Sequence, residues 1–266
     1  MAAGQQWDAR GYDDRFSFIT AYGADLLTLL DARAGERVLD LGCGSGHQVA
    51  ELAARGAQVV GMDADLAMLD LARSAYPDLV FREGDAQSLD VAGLCAIVGG
   101  PYDAVLSNAA LHWMPRQDEV VAGVAALLRA GGRFVVEMGG HGNVARLTEA
   151  IRTARTRSGL PDVSTPWTFP RPAQQAARLE RAGFTVRLLQ LFERVTPLTA
   201  TDTAADWARM FGAEMVQDVP PEHRADFDAA VDAAGAGLGL DRRPDGCPGW
   251  WGDYVRLRFV AELTPP

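Results

Sequence analysis

The 266-residue sequence contains no lysine, and all of its 25 basic side chains are arginine. Alanine and glycine are abundant, so the codon usage of a GC-rich genome explains this composition without a functional reason. Acidic residues outnumber basic ones, and the formal net charge is −10. Because binding to phosphates requires a basic surface, this charge argues against a nucleic-acid substrate.

Long hydrophobic runs are also missing. No stretch reaches the roughly 18 apolar residues of a membrane-spanning helix, so we expect no membrane partner. The N-terminal residues lack the basic and then apolar order of a signal peptide, which favours a cytoplasmic location. The three cysteines, Cys43, Cys95 and Cys247, are far apart and lack paired metal-ligand spacing, which argues against a structural zinc site. A hydrophobic fraction of 48% predicts a globular core.

A glycine-rich turn follows the first apolar run of the chain. Residues 38–46 read Val-Leu-Asp-Leu-Gly-Cys-Gly-Ser-Gly and lead directly into a helical pattern from His47 to Arg55. This order is typical of a buried parallel strand followed by a helix whose N-terminus faces a nucleoside ligand. The glycines allow a tight turn, and without Cβ atoms they let a ligand reach backbone N–H groups. By itself, the pattern indicates only a nucleotide-like ligand.

Further strands follow at regular intervals, with polar residues where they end. The second is predicted over residues 57–63 and ends at Asp63, whose carboxylate is placed to accept both hydroxyls of a ribose. Asp65 caps the helix that follows. The third strand is predicted within residues 79–86, where it runs into a Gly84-Asp85-Ala86 turn. The next two strands are predicted at residues 102–106 and 132–138, the last after a helix that ends at Gly131 and Gly132. Strands that alternate with helices predict a parallel sheet, whose ligands bind at the carboxyl ends of the strands.

The second half of the sequence adds helices and two more strands. Residues 251–260 alternate between apolar and polar side chains, the pattern of a half-exposed edge strand. Residues 201–239 are mainly helical in pattern, with one helix starting at Asp202 or Thr203 and another at residues 220–222. We interpret this insertion as a cap over an acceptor pocket, because the connecting loops of the sheet emerge at its carboxyl end. The remaining elements are two helices over residues 142–158 and 173–182 and a sixth strand over residues 184–192.

These motifs together resemble the class I S-adenosylmethionine (SAM)-dependent methyltransferases, closely over residues 5–140. Segments within residues 7–18, 108–113 and 139–143 are similar to the bacterial small-molecule group that includes trans-aconitate methyltransferase. The resemblance implies an α/β fold with a Rossmann-like, mostly parallel seven-stranded sheet, helices on both faces and an inserted antiparallel seventh strand. It also implies methyl transfer from SAM to a small-molecule acceptor. The corresponding segments are an N-terminal helical cover (1–32), the core (33–198), the helical cap (199–248) and the final strand (249–266).

The resemblance assigns cofactor roles to residues at the strand ends. Asp63 would hold the ribose, Asp85 the adenine amino group, and Ala86 the edge of the adenine ring through its backbone. Asn108 and Leu111 would line the sulfonium side. The predicted set also contains Gly42, Gly44 and Gly46, which would face the methionine and ribose portions, together with Met62, Tyr12 and Ser17. Asp40, inside the first strand, is interpreted as a structural acceptor for amides of the glycine turn, with direct cofactor contact as the alternative.

A general base is needed only where the acceptor loses a proton on attack, and a carboxylate acceptor needs none. His112, after the fourth strand, is the first candidate for this base, and His141 is the second. A purely structural role is the alternative for both. The candidates for the acceptor pocket are the aromatic side chains Trp113, Trp167, Trp207 and Phe211, for which helix packing is the alternative.

The acceptor itself stays open between a polycarboxylate held by arginines and an aromatic or terpenoid-like molecule. Two other functions also stay open. One is a nicotinamide-dependent oxidoreductase, although its Gly-x-Gly-x-x-Gly pattern would need a glycine in place of His47. The other is a protein that binds SAM for cyclisation or as a scaffold and transfers no methyl group.

Overall fold

The computed structural model describes residues 25–199 and 201–265, which include a seven-stranded sheet with five strands from the first half of the chain and two from the second half. The order of the strands is β3-β2-β1-β4-β5-β7-β6, and the pairs among the first five are all parallel. This order confirms the predicted Rossmann-like sheet. The strands are β1 Arg37–Leu41, β2 Gln58–Asp63, β3 Val80–Glu83, β4 Tyr102–Asn108, β5 Leu128–Gly139, β6 Phe184–Pro197 and β7 Trp251–Leu263.

Helices cover both faces of the sheet because the strands alternate two sets of apolar side chains. In β1, Leu39 and Leu41 belong to one buried cluster, whereas Val38 belongs to the other. The helices are α1 His47–Ala54, α2 Leu66–Ala75, α3 Val91–Val98, α4 Gln117–Leu127, α5 Ala145–Arg157, α6 Pro172–Arg181, α7 Ala204–Phe211, α8 Ala213–Val216 and α9 Arg224–Gly237. Residues 25–30 are also helical, and short 3₁₀ turns lie at Ala86–Ser88, Leu111–Trp113 and Pro221–His223.

Local signals placed several helix starts correctly. The carboxylate of Asp65 accepts hydrogen bonds from the N–H groups of Ala67 and Met68 at the start of α2. Thr203 and Asp206 form a reciprocal capping box at the start of α7. Both helices begin where the sequence predicted.

Two predictions about strands were wrong. The helix expected to end at Gly131 and Gly132 ends earlier, and both glycines lie inside β5. The pattern of residues 251–260 predicted an edge strand, but β7 lies between β5 and β6, and β6 is the edge strand. This position is the one that the resemblance implied for an inserted seventh strand. The polar side chains of β7 looked exposed in the sequence, but they have partners. Asp253 accepts hydrogen bonds from backbone N–H groups of α5, and Arg258 pairs with the buried Glu137.

The chain divides into two compact units. The first contains residues 1–141, 170–191 and 257–266, and so includes β1 to β5 with their helices. The second contains residues 142–169 and 192–256, a larger segment than the predicted insertion. Whether residues 199–248 cap an acceptor pocket stays a prediction. The predicted N-terminal cover lies mostly outside the described residues.

Within the second unit, α5 is held by a buried arginine. Arg155 is 1% exposed, and its guanidinium forms two hydrogen bonds with the carboxylate of Asp218, at 2.7 and 2.8 Å. The same guanidinium donates to the carbonyl oxygens of Pro161 and Met215. These contacts connect α5 to the loop that follows it, to α8 and to the segment after α8. Among the described residues, no helix is long and apolar enough to cross a membrane.

Candidate functional site

The turn between β1 and α1 depends on left-handed glycines. Gly42, Gly44 and Gly46 have φ angles of +79°, +53° and +84°. Residues with a side chain disfavour these positive φ angles because Cβ comes too close to the backbone, whereas glycine adopts them readily. The sequence order therefore folds as predicted, with a sharp turn at the carboxyl end of β1.

Three backbone N–H groups of this turn donate hydrogen bonds to other residues of the protein. The N–H groups of Gly42 and Cys43 both donate to the carbonyl oxygen of Met62, at 2.7 and 3.0 Å. The N–H of Gly44 donates to Oδ2 of Asp63 at 2.9 Å. The expectation that a ligand reaches these N–H groups is therefore wrong for the three of them. They tie the turn to the end of β2, so any ligand contact arises from the space that the glycines leave.

That space is open at only one of the three glycines. A Cβ on Gly42 would collide with the Cβ of Ala110, and a Cβ on Gly46 would lie 2.7 Å from the ring of Phe81. At Gly44, an added Cβ meets no described atom within 4 Å. Gly42 and Gly46 are therefore required for packing, whereas Gly44 leaves a cradle that a bound molecule can fill.

Asp63 lies at the carboxyl end of β2, beside this cradle. One of its oxygens accepts the N–H of Gly44 and the other accepts the N–H of Asp65, each at 2.9 Å. Burial raises the pKa of Asp63, and these backbone hydrogen bonds oppose the rise. A carboxylate offers about four acceptor positions, so each oxygen keeps one for another donor. This geometry fits the predicted contact with two ribose hydroxyls.

Asp40 contradicts its predicted structural role. It is completely buried, and neither of its carboxylate oxygens accepts a hydrogen bond from any described residue. Burial raises the pKa of Asp40 to about 7, and the negative charge of Asp63 adds to the rise. A second polar atom at the turn, Nε2 of Gln48 in the first turn of α1, is also buried without a hydrogen-bond partner among the described residues.

Buried polar groups are almost always satisfied, so an unsatisfied acceptor and donor beside one turn require an explanation. Gln48 was not among the predicted site residues, and only its position just after the glycines could have indicated it. For Asp40, the available signal was a carboxylate inside an otherwise apolar strand.

Asp85 follows β3 and caps a short 3₁₀ turn. Its Oδ1 accepts hydrogen bonds from the backbone and side chain of Gln87, at 2.9 and 3.2 Å, and Oδ2 lies 3.6 Å from the guanidinium of Arg116. Partial burial raises the pKa of Asp85, but these donors outweigh it, so the net shift is downward. The side chain is 39% exposed, and the carboxylate is thus available to accept an exocyclic amino group. Ala86, the next residue, begins the 3₁₀ turn.

The remaining predicted cofactor residues differ in how much surface they present. Asn108 ends β4 and is partly exposed, and the next residue, Ala109, has a φ of +56°. Met62 is buried in the core, where its sulfur packs against Gly84. Leu111 is completely buried and has no surface for a cofactor contact in this conformation. Tyr12 and Ser17 lie outside the described residues.

His112 lies in the 3₁₀ turn after β4 and is 7% exposed. Its Nδ1 accepts a hydrogen bond from the N–H of Gly139 at 3.3 Å. A neutral imidazole in this arrangement carries its proton on Nε2, so the ring has a donor there instead of a basic lone pair. His141 is exposed, and its backbone N–H donates to the carbonyl oxygen of Pro170. The Nδ1 atom of His112 is therefore occupied, whereas the contact of His141 does not involve its imidazole, and its role as a base stays a prediction.

The predicted pocket aromatics fall into both units. Trp113 is a buried member of the first unit, next to His112. In the second unit, the rings of Trp167 and Trp207 lie 5.8 Å apart, and those of Trp207 and Phe211 lie 5.6 Å apart. The indole N–H of Trp207 donates to the hydroxyl of Tyr254 at 2.8 Å. All four predicted residues are buried, as the packing alternative requires, and their role in a pocket stays a prediction.

Comparisons with known proteins point to one class of protein. Residues 39–136 match the methyltransferase domain family. The chain is 32% identical over 264 residues to an uncharacterized methyltransferase of Schizosaccharomyces pombe, with 96% of this chain and 97% of that protein covered. It is 32% identical over 252 residues to the trans-aconitate 2-methyltransferase of Mycolicibacterium gilvum, with 90% and 92% covered. The crystal structure of the YcgJ protein from Bacillus subtilis has the same fold, with a TM-score of 0.60, 17% identity, and 93% and 99% of the two chains covered.

Proposed function

This chain belongs to the class I SAM-dependent methyltransferases, and on that premise we propose that it methylates a carboxylate oxygen of a small organic acid. Because it belongs to this family, the protein is an enzyme that transfers a methyl group from SAM to a small molecule. Two points are proposed: the residues that hold SAM and the chemical class of the acceptor. The cofactor site is supported chiefly by the cradle at Gly44 beside the carboxylate of Asp63.

The first part of the proposal is the cofactor site at the carboxyl ends of β1 to β4. SAM, when bound, supplies a methyl group on a positively charged sulfur, which is already a good leaving group. Asp63 would accept the ribose hydroxyls, and Asp85 and Ala86 would hold the adenine. The backbone at Gly44 and the side chain of Asn108 would lie along the methionine portion. Leu111 and Met62 are left out of this set because both side chains are buried in the core.

The second part is the acceptor. The Mycolicibacterium gilvum relative is named a trans-aconitate 2-methyltransferase, and it matches over most of both chains. Trans-aconitate is a carboxylic acid. An ionised carboxylate is already nucleophilic and needs no base, so positioning beside the methyl group and exclusion of water are the main tasks of the protein. The orientation of His112 supports such an acceptor, because its Nδ1 lone pair is occupied by Gly139. The cytoplasmic location and the absence of a nucleic-acid partner stay predictions.

The test is a product assay with SAM and a panel of small acids that includes trans-aconitate, an aromatic acid and a phenol. We expect one or more carboxylic acids to gain the mass of one CH₂ group, and we expect mild alkali to reverse the gain, because it hydrolyses methyl esters. A product stable to alkali would point to methylation of another atom. A product formed without a gain of mass would point instead to a rearrangement.

The matching binding experiment uses S-adenosylhomocysteine (SAH), the product that SAM leaves behind. Asp63→Ala should weaken SAH binding at least about tenfold, since two charge-assisted hydrogen bonds are lost. Asp70→Ala is the control, because Asp70 is an exposed acid on α2. Wild-type affinity in Asp63→Ala, with the fold intact, would overturn the assignment of the ribose contact.

A further inference from the structure

We infer that the buried side chain of Gln87 is a positioning residue for the base of the cofactor, and that it makes the site select a 6-aminopurine over a 6-oxopurine. It does so by occupying one carboxylate oxygen of Asp85 and leaving the other for the amino group. This inference rests on the proposed cofactor site, in which Asp85 accepts the amino group of adenine. It adds to that site a residue that acts through Asp85.

The segment after β3 brings Gln87 back onto Asp85. Asp85 begins the 3₁₀ turn Ala86–Ser88, and its Oδ1 accepts the backbone N–H of Gln87 at 2.9 Å. Aspartate often forms such turns, because its short side chain reaches the amide two residues further on. The side chain of Gln87 returns to the same oxygen, to which Nε2 donates a second hydrogen bond at 3.2 Å. Both donors of Gln87 therefore hold one oxygen of the carboxylate.

The amide oxygen of Gln87 is held by a different loop. It accepts the backbone N–H of Arg116, just before α4, at 3.0 Å. Because the oxygen faces an N–H donor, the amide nitrogen faces the carboxylate, and only this orientation of the amide satisfies both contacts. Gln87 is 7% exposed, which shields both hydrogen bonds from water. The amide thus connects the carboxyl end of β3 to the loop between β4 and α4.

These contacts make the two oxygens of Asp85 different. A carboxylate oxygen accepts about two hydrogen bonds, so the two donors of Gln87 fill Oδ1. No described residue donates a hydrogen bond to Oδ2, because the guanidinium of Arg116 lies 3.6 Å away, beyond hydrogen-bond distance. The side chain of Asp85 is partly exposed, so a ligand can reach it from solvent. Oδ2 is therefore the oxygen that remains for a donor on the ligand.

The same contacts keep Asp85 an acceptor. Partial burial raises the pKa of Asp85, but the hydrogen bonds from Gln87 and the charge of Arg116 outweigh this rise, and the net shift is downward. An ionised carboxylate has only acceptor oxygens, so it can bind the amino group of adenine, which is a donor. The 6-oxo group of hypoxanthine is itself an acceptor and would face Oδ2 with no hydrogen between them. The site should therefore reject the 6-oxo base as long as Gln87 holds Asp85 in this orientation.

The experiment is calorimetric titration of the full chain with SAH and with S-inosylhomocysteine, in which an oxo group replaces the amino group of adenine. We expect the wild type to bind SAH about 10- to 100-fold more tightly, because the 6-oxo base loses a hydrogen bond to a charged group. Stronger discrimination would require a fully buried contact, and Asp85 is partly exposed. Gln87→Met keeps the length of the side chain and removes both of its hydrogen bonds. It should reduce the preference for SAH by about three- to tenfold.

A double variant separates positioning from a general effect on the fold. If Gln87 acts through Asp85, its replacement should change the preference only while Asp85 is present. Asp85→Ala and the double variant Asp85→Ala/Gln87→Met should then show the same small preference for SAH. A purely structural role would weaken the binding of both ligands equally and leave the preference of Gln87→Met intact. Gln175→Met is the matched control, because Gln175 is a buried glutamine in α6 that accepts a hydrogen bond from Arg178, and it should keep the wild-type preference.

Gln87→Glu is a second variant, which serves if Gln87→Met does not fold. It keeps an oxygen for the N–H of Arg116 but replaces the donor to Asp85 with an acceptor, so it should also reduce the preference. An unchanged preference in either folded variant, or a further loss on the Asp85→Ala background, would overturn the inference alone. Equal binding of SAH and S-inosylhomocysteine by the wild type, or no SAH binding, would instead contradict the proposed cofactor site.

Discussion

Gly44→Ala offers the sharpest test of the cofactor site because it separates ligand contact from folding. The new Cβ would meet no described atom within 4 Å, so the folded protein has room for it. Stability is then affected only by the left-handed backbone of residue 44, whose φ is +53°. Alanine in this conformation costs about 1–2 kcal/mol. For a protein of this size, that lowers the melting temperature by roughly 2–8 °C.

Binding should respond more strongly than stability. When SAH fills the cradle, the added methyl group would crowd the bound ligand. Overpacking of this kind costs about 1–3 kcal/mol, which corresponds to a loss of about 5- to 150-fold in SAH affinity. Gly159→Ala is the matched control, since Gly159 also has a left-handed φ, of +68°, and open space around it. It should lose similar stability and keep full affinity.

The assays are thermal unfolding and calorimetric SAH titration on the same preparations. Equal SAH affinities in Gly44→Ala, Gly159→Ala and the wild type would refute the cradle at Gly44. Gly42→Ala and Gly46→Ala should unfold at clearly lower temperatures than Gly44→Ala, because each new Cβ collides with a neighbouring side chain. If all three glycine variants were destabilised equally, the distinction between packing and contact glycines would be wrong.

Three further predictions concern individual side chains. The raised pKa of Asp40 means that the folded protein keeps a proton that the unfolded chain loses above about pH 4, so the penalty grows from about pH 4 to pH 7. In thermal unfolding, Asp40→Asn should therefore be stabilised by a few degrees at about pH 8 and by little at about pH 4; a constant difference would contradict this. Arg155→Met should lose about 2–3 kcal/mol in denaturant unfolding, a value discounted because its partner Asp218 is 45% exposed. The control Arg152→Met, on a side chain that is 41% exposed and paired with an exposed acid, should lose less, about 1 kcal/mol at most. His112→Gln should keep SAH affinity and lower kcat by less than about 100-fold with an unchanged pH profile, and loss of the acidic limb of that profile would restore the base role.

The strand-end residues of the site were predictable because local patterns decide them. Apolar runs that stop at Gly42, Asp63, Asp85 and Asn108 mark the carboxyl ends of parallel strands, and those ends meet at one edge of the sheet. The caps at Asp65 and Thr203 could likewise be identified, since a capping side chain bonds to amides only two or three residues away.

The neighbours across the fold were not predictable in this way. Alternation in residues 251–260 indicated an exposed edge, but pairing with α5 and with Glu137 satisfies the polar side chains inside the sheet. Asp40 was expected to bind the amides of the glycine turn, but Met62 and Asp63 bind three of these amides first. Competition among partners distant in sequence decides such contacts.

The sequence by itself determined the class of this protein, the parallel sheet and the edge at which its ligand binds, because hydrophobic periodicity and turn chemistry act over a few residues. Only the tertiary structure decided which glycine is open and which acid is left without a partner. Those properties depend on atoms brought together from separate strands and helices. The surroundings of Gly44 leave a space, whereas the ring of Phe81 occupies the corresponding space at Gly46. Asp40 is surrounded by apolar side chains and lies near the like charge of Asp63.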